Sequence, residues 1–266
     1  KLSRLHSLLL THAHSEAAGG LDDIRDVLSF IYSPTFTAQC KDPLPTFLSP
    51  ASLAYISFTL KYIVDASNLV KKDRNAVLPR RVTCLDFNLL GEEKEEKDGE
   101  GSKEKEKRSE VKKGRKREME RIFPSGSERY GGFLSFPLHF GSPSSSLPCP
   151  SSENTSFGFA FGKQTKVAYI SHTTEPPSSL SSLLLSLPQP LDILIINCYY
   201  LHTPTSSSNN EQLSLDQVLE VVSEVRPKRV YCVGMSCELE HDTTNNMLKE
   251  WVEGVEGVES VQLAHD

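Results

Sequence analysis

Apolar runs in this chain repeatedly end on a histidine. Leu8-Leu9-Leu10 leads into Thr11-His12-Ala13-His14-Ser15-Glu16, Phe133 to Leu138 leads to His139, and Val167-Ala168-Tyr169-Ile170 leads to Ser171-His172. Three later runs also end on polar groups. Leu191 to Cys198 carries Asn197 near its end, Arg229 to Met235 meets Ser236-Cys237 with His241 nearby, and Val258 to Leu263 runs into His265-Asp266. Short apolar runs bounded by polar residues read as buried strands. In α/β folds the loops at the C-terminal ends of strands carry the site. Of eight histidines, only His6 and His202 fall outside this pattern. The chain is therefore constrained to bring several strand ends to one edge.

The segments between these runs support an α/β layout. Residues 21–28 read as a helix start capped by Asp22 or Asp23. Phe157 to Gly162 and Val167 to Ile170, with a Lys/Gln turn between them, predict a β-hairpin. Leu213 to Val225 has Leu215, Val218, Leu219 and Val222 near a helical period, and Pro227 stops it. A short helix is expected over Asn245 to Val252. Arg81 to Leu89 reads as a strand, whereas Ala51 to Val70 takes no assignment from its pattern. Residues 91–121 differ in kind, with 12 basic and 11 acidic side chains and no apolar period. Such a segment has no core to bury and reads as a disordered insertion. The basic stretch Lys112 to Arg117 is neutralised by its acidic neighbours.

Composition narrows the function. The chain has 266 residues, 38% of them hydrophobic, enough for a sizeable core, and a net charge of −6. No net basic character points to nucleic acid, although a bound cation could reverse the local field for a phosphate-bearing substrate. No run of about 18 apolar residues could span a membrane, and Ser181 to Leu187 is too short. None of the six cysteines forms a Cys-x-x-Cys pair. They read as reduced, which fits a cytoplasmic or nuclear compartment.

Imidazole, carboxylate and thiolate are all zinc ligands. Alternate residues of an extended segment point the same way, so His12 and His14 can reach one ion and Glu16 continues that side. Each residue also has a plainer reading. A histidine at a strand end is often just hydrogen-bonded, Glu16 can be a first-turn carboxylate, and Cys237 can be a small apolar residue.

The stretch Leu9 to Arg25, with Thr11-His12-Ala13-His14-Ser15-Glu16-Ala17 and Gly20-Leu21-Asp22-Asp23, resembles the first metal-binding motif of the metallo-β-lactamase-fold hydrolases. It is most similar to a branch related to the cyclic-phosphate phosphodiesterase of bacterial phosphonate breakdown. Phe136 to Gly141, Val167 to His172, Leu191 to Cys198, Arg226 to His241 and Val261 to Asp266 resemble later segments of that family in order. The resemblance implies an αββα four-layer sandwich, α/β or α+β by scheme, incomplete at the N-terminus. It also implies one domain over 1–266, with a charged insertion at 91–125, and a family domain extending beyond both Lys1 and Asp266.

By the same resemblance, His12, His14 and His139 hold a first ion, and Glu16, His172 and His265 a second. Cys237 or His241 transfers the proton. The ions would be zinc, with manganese or iron as alternatives. The implied activity is metal-assisted hydrolysis of a phosphodiester or cyclic phosphate. A small phosphorylated substrate is the implied partner, with no membrane and no nucleic acid, and a homodimer is compatible. Four positions depart from the family: Glu16, His172 and Asn197 stand where Asp is usual, and Cys237 where His is usual. A carboxylate can bridge two ions, but an imidazole lone pair serves one. A second reading follows, a degenerate relative with one or no metal and little or no turnover. A hydrolase of a thioester or of nucleic acid is a third.

Overall fold

The computed structural model describes residues 5–24, 44–64, 85–91, 119–122, 132–140, 155–203 and 212–265. Two sheets form its frame. The smaller is parallel, in the order β1 (Leu8–Leu9), β2 (Leu44–Leu48), β3 (Leu85–Leu89). The larger has seven strands in reverse chain order: β10 (Ser260–Leu263), β9 (Arg229–Val233), β8 (Ile193–Asn197), β7 (Val167–Ile170), β6 (Thr155–Phe161), β5 (Phe133–His139) and β4 (Glu120–Ile122). β7 to β10 are parallel, whereas β4 to β7 pair antiparallel. The expected hairpin is β6–β7, in register Phe159 to Tyr169.

Three helices fill the connections of the parallel half: Pro177–Leu185, Leu215–Val225 and His241–Glu253. Their apolar faces and one face of the large sheet bury Leu180, Leu184, Val218, Val222, Leu248, Ile170, Leu194 and Val230. On the small sheet, Pro50–Thr59 and Lys61–Val64 pack Ile56 and Ile63 against Leu10, Leu48 and Leu85. Phenylalanines from both sheets form the middle layer: Phe47 with Phe133, Phe157 and Phe159. The ring centroids of Phe47 and Phe133 lie 5.1 Å apart, edge to face. Helix, sheet, sheet, helix is the αββα sandwich that the sequence implied.

Local chemistry sets the helix ends. Ser49 accepts the amide hydrogen of Ser52 ahead of Pro50, and Ser214 and Gln217 form a capping box. The last helix begins at His241, ahead of the expected Asn245, because the Glu240 carboxylate accepts the amides of Asp242 and Thr243. The run Ser181 to Leu187, read only as too short for a membrane, lies largely in a helix that starts at the Pro176-Pro177 pair. The stretch 50–64, unassigned from pattern, is helical on either side of Leu60.

At 21–24 the chain is helical, and the rest of that expected helix lies outside the described residues. So does most of the expected insertion, including Lys112 to Arg117, but its end differs from expectation. Glu120–Ile122 pair with Phe133–Ser135 as an edge strand, with Ile122 against the middle phenylalanine layer. Among the described residues, no helix is long and apolar enough to cross a membrane.

Candidate functional site

The two sheets meet at the end of β1. Leu10 donates its amide to Phe47, and Thr11 accepts the amide of Phe157 from β6 at 2.7 Å. This backbone clamp carries His12 inward, leaving it 3% exposed. Its ring lies 5.3 Å from that of His14, 4.7 Å from that of His172 and 5.3 Å from that of Phe140. Three of the histidines read from strand ends therefore do come together. The fourth ring of the group belongs to Phe140, not His139. Phe140 packs 4.8 Å from His14 and 5.4 Å from His172.

His139 is exposed at the end of β5. Its backbone is what the surroundings hold: its amide donates to Glu175 at 3.0 Å, and its carbonyl accepts from Thr173 and Thr174. Glu175, buried ahead of the Pro177–Leu185 helix, also accepts from Ser179 at 3.0 Å. Sequence reading missed it, and the Thr-Thr-Glu-Pro-Pro run before an apolar stretch was the available signal.

Three nitrogens of the cluster, both of His172 and Nδ1 of His12, have hydrogen-bond partners. The Gln212 amide group donates to His172 Nε2 at 3.1 Å, so Nδ1 carries the proton and faces Ser171 Oγ at 3.2 Å. Nδ1 of His12 meets the Thr11 hydroxyl at 2.8 Å, while its buried Nε2 has no hydrogen-bond partner. Burial, then His172 and His14, push the His12 pKa down to about 3, so the ring is neutral near pH 7. Asn197, at the end of β8, is 5% exposed and lies under the β9 turn at Gly234.

The remaining candidates sit elsewhere on the same edge. The rings of His241 and His265 pack at 3.9 Å between centroids, tilted by 46°. Asn245 holds His241 with its amide nitrogen while accepting the Leu263 amide. Cys237 is exposed and free. Glu16 lies in the short helix Ser15–Ala18. The other two described cysteines are buried core residues. Cys198 hydrogen-bonds Cys232 and, with burial, raises the Cys232 thiol well above its ordinary range.

Among the described residues, no group of three or more His, Cys, Asp and Glu side chains is placed to hold a metal ion. This corrects the expectation of a metal-dependent hydrolase acting through a metal-activated water. The donor set does not fit zinc, manganese or iron, for three physical reasons. His139 is turned outward and Phe140 takes the place beside His12 and His14. Both His172 nitrogens are spent on neighbours. Asn197 and His172 bring no negative charge, and nearby like-charged ions need such charge to offset their repulsion.

No family profile matches the chain, and no curated protein matches it in sequence. Solved structures do match. A new diphosphatase from the PhnP family aligns at a TM-score of 0.57 and 19% identity, over 98% of this chain and 68% of that one. Unliganded yeast PDE1 aligns at 0.50 and 13%, over 97% and 66%. Isothiocyanate hydrolase from Delia radicum gut bacteria aligns at 0.51 and 9%, over 99% and 76%. The chain thus has the fold of the metallo-β-lactamase superfamily. It spans about two thirds of the length of the diphosphatase and yeast PDE1.

Proposed function

We propose that this chain is a degenerate member of the metallo-β-lactamase fold, from the branch related to the phosphonate-breakdown phosphodiesterase, with little or no hydrolytic turnover. The observation that carries this reading is His172. A position where the branch resemblance expects a bridging carboxylate holds a neutral imidazole with both nitrogens bonded to Gln212 and Ser171. Phe140 supports it by packing an apolar ring among the three histidines. Glu16, Asn197 and Cys237 are read as further substituted positions of the same site. Such a chain has one ion or none and no complete donor set to activate a water.

The test is hydrolysis of an aryl phosphodiester and of a cyclic phosphate with added zinc, manganese or iron. The reading predicts rates at the level of the metal alone in buffer. Saturable, metal-dependent turnover that His172→Ala abolishes would overturn it.

A further inference from the structure

A second feature lies on the outer helical layer and shares no residue with the His12, His14 and His172 cluster. A groove of about 460 Å³ runs between the Leu215–Val225 and His241–Glu253 helices. Its apolar wall is Leu201, Leu219, Met247 and Trp251, and Asp216 and Glu220 line it from one helix. Met247 is 42% exposed and Trp251 half-buried, so the groove leaves apolar surface open beside its carboxylates. Asp216 and Glu220 are followed by Glu224, four residues further along the same helix and also exposed. Like charges spaced four apart on a helix repel one another. Among the described residues, no lysine or arginine lines the groove. His202, at the rim, places Nδ1 2.9 Å from Asp216 Oδ2.

We infer that this groove is a docking surface for a basic amphipathic segment of a partner protein. The apolar face of that segment would lie on Leu219, Met247 and Trp251, and its lysines or arginines on Asp216, Glu220 and Glu224. Charge selects this occupant over the others. Nucleic acid and anionic lipid are repelled by a row of carboxylates. A second copy of this chain presenting the same face would set acid against acid. An amphipathic helix laid in an apolar groove satisfies both the wall and the rim.

Trp251 is the only tryptophan in the chain, so its fluorescence reports on the groove directly. The probe is a tryptophan-free helical peptide with leucines on one face and lysines along its flanks. Its control carries glutamate for every lysine. The lysine peptide should change Trp251 emission saturably, and added salt should weaken it. The double variant Glu220→Lys, Glu224→Lys should weaken binding about tenfold or more. Met247→Asn should weaken it too without altering charge. All are surface changes, and an unchanged thermal midpoint would establish that each variant is folded. Failure of the lysine peptide to bind, or equal binding of the glutamate peptide, would overturn the proposal. So would a dimer, seen by sedimentation in the protein alone, that Met247→Asn dissolves, because the occupant would then be a second copy.

Discussion

His12 shows how a residue suited to one chemistry is retained by another. Its ring is buried, neutral and packed against two other imidazoles and a phenyl ring. The unfolded imidazole titrates near 6.5 and the folded one near 3. Because the folded value is the lower, this contribution to stability is complete above 6.5 and is lost as pH falls from 6.5 toward 3. Urea unfolding should therefore show a loss of about 2 kcal/mol between pH 7 and pH 5 from this group alone. His12→Phe should reduce that acid loss, and an unchanged slope would refute the assignment. A second expectation concerns Gly234, whose φ is +69° and whose added Cβ would lie 2.1 Å from the Asn197 amide nitrogen. Gly234→Ala should cost about 1–3 kcal/mol, read by the same method. The closeness of His12 and His14 was legible from their alternate spacing, but the third ring was expected to be His139, with His172 beside a second ion. The intrusion of Phe140 was not legible, since an aromatic beside a strand end looks the same whether it wedges a site or joins the core. Gln212 was also invisible, because sequence does not tell which distant polar group will satisfy a buried nitrogen.

Elements were legible where period and punctuation agreed. The Leu215–Val225 helix announced itself through its spacing and Pro227, and its capping box gives it a measurable start. Ser214→Ala removes a hydroxyl that accepts from Gln217 and should cost about 1 kcal/mol, seen as a lower urea midpoint at unchanged slope. The Pro177–Leu185 helix was hidden by composition. Its serines interrupt the rhythm of its leucines, yet Leu180 and Leu184 are fully buried four apart. The Pro50–Thr59 helix was hidden by β-branched and aromatic residues that favour strands in isolation. Packing against the small sheet overrides that preference.

At the scale of the molecule, the two sheets are held by the phenylalanine layer and by the Thr11–Phe157 backbone clamp. Phe133 is 6% exposed and contacts rings of both sheets. Phe133→Ala should destabilise the fold by about 3–5 kcal/mol, whereas loss of His14, an exposed ring, should cost far less. The layered architecture was legible because family motifs followed one another in order. The function was not, because it depends on whether donors are free, and that is a property of tertiary contacts. The fold is kept while both His172 nitrogens are spent on internal partners. Elemental analysis of the purified chain, after equilibration with zinc or manganese and removal of free ion, tests this most directly. The account predicts no more than one ion per chain, and a second ion only after His172→Asp restores a carboxylate. Two tightly held ions in the unaltered protein would contradict it.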